Sequence, residues 1–315
     1  MSHTRSSNAK QPFPLIDLAF GFKRCVLVAG SGRSGTTWIG QTLAHAMRSR
    51  LMFEPFLLDD NQRFCFLAGT PTHCDHHQLY LPWGPHGQQR EPEIRRILQG
   101  RLRARWCDRL TAPGIYFGRV VKAVRANLML DYIARRWPEI KIIYVVRDPR
   151  CVINSQLAKM RQGWKFQWHP AGVLNQPELM RDWLHPYADL LEQSSSSCLI
   201  QRQALKWCIE NFIPYQCLSQ HENVVPVSYD QLTRDTNNWN AIARCLADRG
   251  WSDSRFREAV VRRSQTSQRS QAQIAQRLEP LSELDASSER TIVDLVQRFG
   301  LDDALQSEIG LRRAA

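Results

Sequence analysis

Residues 30–37 read Gly-Ser-Gly-Arg-Ser-Gly-Thr-Thr, directly after the apolar run Cys25 to Ala29 and ahead of an amphipathic stretch through Trp38, Ile39, Leu43 and Met47. A short β-branched run that breaks into glycines and resumes with helical spacing predicts strand, phosphate loop, helix. In that arrangement successive backbone N–H groups and the helix N-terminus converge on an anion. The spacing is nearly that of a nucleoside-triphosphate loop, with four residues between Gly30 and Gly35 and two hydroxyl residues after them. The lysine such a loop places after its last glycine is Thr36 here, and the cation comes earlier, at Arg33. ATP or GTP hydrolysis is therefore disfavoured, and another phosphorylated ligand is expected.

The remainder of the chain repeats the strand-then-helix pattern. Leu51 to Phe53, Arg119 to Val124, Ile140 to Val146 and Val224 to Ser228 read as further short strands. Helical patterns run from 91 to 110, from Asn127 to Trp137, from Pro149 to about Met160, from Arg181 to Gln193, from Gln201 to Ser219, and over 237–248 and 286–299. Alternation of this kind predicts an α/β fold: a three-layer parallel sheet with a P-loop-like phosphate-binding loop and helices on both faces. One domain over residues 21–315 is expected, preceded by a flexible arm over 1–20 that ends in a short apolar anchor. Irregular insertions at about 56–90 and 161–180 are expected to fold over the carboxyl edge of the sheet, where such sheets bind ligands.

Charge narrows the partners. Among 315 residues the 42 Lys and Arg outnumber the 30 Asp and Glu, and the resulting +12 suits an anionic ligand or surface. The arginines are spread through helical stretches and form no basic tract, so nucleic acid is not expected. Nine cysteines show no C-x-x-C pairing and read as buried thiols of a reducing, cytoplasmic setting. No secretory signal or transmembrane segment is visible.

A second phosphate motif closes the third strong strand. Arg147-Asp148-Pro149-Arg150 follows Val146, and Ser155 falls about two turns into the next helix. An arginine fork with a hydroxyl holds a phosphate without a metal. Taken with the first loop, this resembles the sulfotransferase superfamily that uses 3′-phosphoadenosine 5′-phosphosulfate (PAPS). The likeness extends to Phe53-Glu54-Pro55, to the run from Val121 to Arg125, and to the run from Val145 to Arg150. In these the chain is similar to Golgi carbohydrate sulfotransferases and to tyrosylprotein sulfotransferases. It covers about residues 24–160 well; beyond them lies a Tyr-Asp-x-Leu pattern at Tyr229, Asp230 and Leu232.

The resemblance implies roles. Arg33, Ser34, Gly35, Thr36 and Thr37 would hold the 5′-phosphosulfate, Arg147 and Ser155 the 3′-phosphate, and Trp38 would stack near adenine or else make the first core contact of its helix. Arg33 and Lys122 would meet charge on the departing oxygen, because a loose transition state leaves the protein positioning and charge stabilisation to supply. Lys122 is an unusual residue mid-strand: either it reaches the ligand edge, the favoured reading, or its strand lies at the rim. Glu54 is the expected general base, made more basic by burial among Phe53, Pro55 and Phe56; the alternative is a glutamate paired with an arginine. Arg125 would contact donor or acceptor, or form a surface ion pair.

Two departures restrict what is carried over. Val124 stands where cytosolic small-molecule sulfotransferases have a catalytic histidine, and the membrane anchor of the Golgi enzymes is not seen. The expected reaction is sulfuryl transfer from PAPS to a hydroxyl of a carbohydrate or glycolipid-like acceptor. Alternatives are a tyrosylprotein or small-molecule sulfotransferase, a P-loop kinase and a non-catalytic polyanion binder. No metal is expected: the glycine loop has no paired carboxylates, and His73, Cys74, Asp75, His76 and His77 fit no tetrahedral zinc spacing. Trp83, Trp164 and Trp168 offer rings to a sugar or pack their loops, and Arg262, Arg263 and Arg269 either close over the nucleotide or form a solvated face.

Overall fold

The computed structural model describes residues 15–19, 21–57, 78–164, 170–262 and 284–306. The His73 to His77 cluster, Trp168, Arg263 and Arg269 lie outside these residues. The strands are β1 (Leu15–Asp17), β2 (Cys25–Ala29), β3 (Arg50–Phe53), β4 (Gly114–Tyr116), β5 (Arg119–Ala123), β6 (Lys141–Val146) and β7 (Val224–Ser228). Five of them form one sheet in the order β3-β5-β2-β6-β7, and every pairing is parallel. The expected three-layer α/β fold is present.

The apolar runs are continuous because both faces of the sheet are covered. Side chains of a strand alternate between faces, so each run splits between two cores. Cys25, Leu27, Ala29, Ile142, Tyr144 and Val146 belong to one, and Val26, Val28, Ile143 and Val145 to the other. The second is closed by Ile39 and Leu43 of α1 (Thr36–Ala46) and by Phe256 and Val260 near the chain's end. The first holds Ile94 and Leu98 of α2 (Pro85–Leu98), Ile133 of α3 (Leu130–Arg136) and Val152 of α4 (Pro149–Arg161). Leu205 and Ile209 of α5 (Leu199–Cys217) pack in the same core. Further helices include α6 (Tyr229–Arg234), α7 (Asp253–Val260) and α8 (Ala286–Arg298), and the pattern expected over 237–248 is a short helix over Asn240–Cys245 between tight turns over Thr236–Trp239 and Ala247–Arg249.

The amino edge of the sheet is fastened by two buried arginines. Arg50 donates to Asp108 Oδ1 at 2.7 Å and to the carbonyls of Gly100 and Leu102 at 2.8 and 2.6 Å. Arg119 donates to Asp17 and to the carbonyls of Gly21, Leu98 and Ala19. With exposures of 0% and 1%, these guanidiniums replace water by a full set of acceptors. Their shared partner Asp17 lies on β1, which pairs in parallel with β4. The apolar anchor expected at the end of the N-terminal arm is therefore a strand.

Three expectations for the helices need correction. The helical pattern from 91 to 110 is two pieces, α2 and a single turn over Arg105–Asp108, because Gly100 leaves the helix at φ +72° beneath Arg119. Helix α2 also begins inside the segment expected to be irregular, opened by Pro85, whose fixed φ suits a first helical turn. The stretch from Arg181 to Gln193 is broken at Pro186 into a wide turn over Met180–Leu184, a tight one over His185–Tyr187 and an α-helical piece over Ala188–Gln193.

Candidate functional site

The parallel register brings the ends of β2, β3, β5 and β6 to one edge. Val28 and Phe53 both lie level with Lys122, so Gly30, Glu54 and Val124 leave the sheet together. Gly30 sits at φ +151°, and a Cβ there would stand 2.3 Å from the Val145 carbonyl oxygen. Gly35 sits at φ +84° as the cap of α1, and a Cβ there would meet the Tyr229 ring at 2.1 Å. Only glycine fits either position. The cap offers no side-chain oxygen to the first turn, so the N–H groups of Thr36, Thr37 and Trp38 keep their capacity to bind an anion.

The loop is braced from behind by residues far away in sequence. Asn211 on α5 donates to Ser31 Oγ at 2.9 Å and accepts from Tyr144 Oη at 2.6 Å, all buried. Gln156 on α4 donates to the Gly32 carbonyl at 3.0 Å. The two phosphate motifs also meet: Arg33 Nε donates to Ser155 Oγ at 3.1 Å, and Arg147 Nη1 donates to the Arg33 carbonyl at 3.0 Å. Asp148 caps α4 by accepting from the Arg150 N–H at 2.8 Å, which fixes where Ser155 falls.

Beside this bond Arg147 is incompletely satisfied. Its Cζ lies 4.8 Å from the Tyr229 ring centroid, and its Nε stands 3.9 Å from Asp230 Oδ1 without a hydrogen bond. Ser34 Oγ and Asp230 Oδ2 are likewise buried without partners. Buried polar atoms are ordinarily paired, and the donors Ser34 Oγ and Arg147 Nε beside the glycine loop keep capacity for a polar ligand. Tyr229 and Asp230 were seen in the sequence only as part of a pattern; their placement against the loop comes from β7 ending beside β6.

Glu54 and Lys122 form one buried group. Lys122 Nζ donates to Glu54 Oε1, the Val124 N–H reaches both carboxylate oxygens at 3.3 and 3.2 Å, and Arg125 Nη1 lies 3.3 Å from Oε2. Exposures are 3% for Glu54 and 4% for Lys122. Burial lowers the Lys122 pKa from the ordinary lysine value, and the Glu54 charge opposes that shift. Strand β5 is interior to the sheet, so the rim explanation for Lys122 does not apply. Glu54 and Arg33 hold φ of +46° and +81°, two of the three non-glycine residues in the left-handed region among those described. Backbone strain is thus concentrated at this edge.

Of the two readings of Trp38, the packing favours the core contact over stacking on adenine. Trp38 is 3% exposed, with Tyr229 and Trp239 edge-on to its ring at 6.0 and 5.4 Å, so it packs the core beneath the loop and has no open face for adenine. Trp83 and Trp164 are 60% and 50% exposed. Arg262 pairs with Glu258 on the surface. Among the described residues no group of three or more His, Cys, Asp or Glu is placed to hold a metal, and no helix is long and apolar enough to cross a membrane.

A model of the sulfotransferase family matches residues 25–239, a span that contains the glycine loop, Glu54, Lys122, Arg147 and Ser155. The chain belongs to the sulfotransferase family. Sulfuryl transfer is accordingly its reaction. No curated protein sequence matches it. Solved structures show a looser likeness. Sulfotransferase STF9 from Mycobacterium avium is 14% identical over 89% of this chain and 76% of its own, with a TM-score of 0.43. A sulfotransferase from Alicyclobacillus acidocaldarius is 14% identical over 90% and 95%, at 0.40. Retinol dehydratase in a complex with retinol and PAP is 14% identical over 90% and 82%, at 0.39. Likenesses this loose carry neither an acceptor nor a site residue across.

Proposed function

We propose that this sulfotransferase takes its sulfuryl group from PAPS and delivers it to a hydroxyl of a carbohydrate or glycolipid-like acceptor. The observation that carries the donor is the junction of the two phosphate motifs at Arg33, Ser155 and Arg147, with the unpartnered donors Ser34 Oγ and Arg147 Nε beside it. PAPS supplies a sulfuryl group already activated by its bond to phosphate. Ser34, Gly35, Thr36 and Thr37 would hold the 5′ side through backbone N–H groups and hydroxyls, and Arg147 and Ser155 the 3′-phosphate. Trp38 serves from the core, holding the first turn of α1 in place.

Charge at the reacting centre falls to Arg33 and Lys122, held at the same sheet edge. Glu54 would take the acceptor's proton. Its carboxylate is fixed by the Val124 N–H and by Lys122 and Arg125, so it is oriented before the acceptor arrives. A carbohydrate acceptor is supported by the resemblance of the stretches around Glu54 and Lys122 to Golgi enzymes.

The test is transfer from labelled PAPS across panels of oligosaccharide, glycolipid and tyrosine-peptide acceptors. Labelled sugar or glycolipid is the expected result. Label on peptides alone would move the acceptor to protein, and label on none of the three would refute the acceptor assignment.

A further inference from the structure

One further cation, Arg109, stands at this edge apart from Arg33, Lys122 and Arg125. Arg109 is exposed, yet its guanidinium is not loose: Cζ lies 4.0 Å from the Phe53 ring centroid and 3.8 Å from that of Trp106, and these rings meet edge-to-face at 5.6 Å. The backbone beneath it is pinned on both sides. Asp108 grips Arg50, and Thr111 Oγ1 donates to the Leu51 carbonyl at 2.7 Å while accepting from the Leu51 N–H at 3.1 Å. The turn over Arg105–Asp108 is thereby bound along β3, whose last residue, Phe53, precedes Glu54.

Its location is specific. The Phe53 ring that Arg109 covers also has Lys122 Nζ 4.7 Å from its centroid, so Arg109 stands beside the Glu54–Lys122 group. Its charge acts on both, as a favourable partner of Glu54 and an unfavourable neighbour of Lys122. Among the described residues Arg109 makes no hydrogen bond and no ion pair; its contacts are the two rings. A guanidinium carries five N–H donors in a rigid fork, and stacking on rings leaves all of them at its edge. This one is ordered in advance and keeps its whole donor set, the arrangement that binds a planar carboxylate or a sulfate oxygen pair at least ordering cost.

We propose that Arg109 binds an anionic group of the acceptor, a carboxylate or a sulfate ester, next to the hydroxyl that is modified, and so selects acidic acceptors over neutral ones. This rests on the sulfotransferase reading of the edge and adds to it the charge of the substrate. Glu54, already facing two cations, would not repel such a group as an isolated carboxylate would. Arg109 acts by binding and takes no part in the proton transfer.

The experiment is calorimetric titration of the full chain, with 3′-phosphoadenosine 5′-phosphate (PAP) present, by three sugars that differ at one carbon: 4-nitrophenyl glucoside, its 6-sulfate and the corresponding glucuronide. The wild type, Arg109→Gln and Arg109→Lys are compared, with PAP affinity and melting temperature measured for each. At least one acidic sugar is expected to bind about 10- to 100-fold tighter than the neutral one, the worth of a charge-assisted fork. The preference should vanish in Arg109→Gln and weaken in Arg109→Lys, with PAP affinity and melting unchanged. Which acid binds better decides between carboxylate and sulfate. Equal binding of all three, binding of none, or a preference that survives in Arg109→Gln would overturn the proposal. If PAP itself fails to bind, the donor reading falls; the same series without PAP still tests Arg109.

Discussion

Replacing Glu54 by Gln removes a charge while keeping shape, and the structure says this perturbs more than a proton acceptor. Lys122 is 4% exposed, and its ammonium donates to the carboxylate that the substitution neutralises. Breaking a buried pair by removing one partner costs about 3–5 kcal/mol. The lower end applies here, because a glutamine carbonyl still accepts from the Val124 N–H. The expected loss in urea unfolding at neutral pH is therefore about 3 kcal/mol, and Glu54→Gln with Lys122→Met should recover most of it. The pH dependence has a defined sign. Burial lowers Lys122 from 10.5, and Glu54 restrains that shift. Without the carboxylate the lysine falls further below 10.5. Between its folded value and 10.5 the native state then releases a proton that the unfolded chain keeps, so stability rises with pH in that window. The deficit of Glu54→Gln should shrink as pH is raised toward 10.5. Turnover should fall by about two to four orders of magnitude, the usual worth of general-base catalysis, and should not return in the double variant. A single variant as stable as the wild type would refute the buried pair, and near-normal turnover would refute Glu54 as the base.

Other perturbations separate the loop from the scaffold. Gly35→Ala forces a side chain into left-handed backbone and against the Tyr229 ring at 2.1 Å, so a loss of about 2 kcal/mol or more and loss of PAP binding by calorimetry are expected. Arg50→Met leaves Asp108 and two carbonyls without their donor at the opposite edge; unfolding free energy should drop by about 3–5 kcal/mol with PAP affinity in the remaining folded protein unchanged. Chelation by EDTA should leave sulfuryl transfer intact, because in the proposed site Arg33, Arg147 and Lys122 would supply the positive charge a metal would; an assay that needs added Mg²⁺ would contradict this.

What was legible in the sequence follows from locality. Strands β2 and β7 fall at the residues the apolar runs mark, and β3, β5 and β6 within one residue at either end; in β2, β3, β5 and β6 burial on both faces makes these runs continuous. The glycine loop was legible for the same reason, and so was the link of Arg147 to Ser155, a strand end and two helical turns. The braces were not. Asn211 reaches Ser31 across 180 residues, and nothing in a buried helix such as α5 marks which polar side chain turns toward the loop. The β1–β4 pair escaped because strands of three residues give too few alternations to register. Trp38 and Lys122 carried two readings each, and only the sheet order and packing separate them. Arg109 sits in a stretch read as charged helix, and its significance appears only once the Phe53 and Trp106 rings close on it.

The proposed site joins the two phosphate motifs around one nucleotide phosphorylated at both its 3′ and 5′ positions. Its most direct measurement is the calorimetric Kd of PAP against that of AMP, which lacks only the 3′-phosphate, in the wild type and in Arg147→Ala. PAP should bind about 10- to 100-fold tighter than AMP, the range of a charge-assisted arginine contact, and most of that difference should disappear in Arg147→Ala. Equal affinity for the two nucleotides, or a preference for PAP untouched by the loss of Arg147, would contradict the site built here.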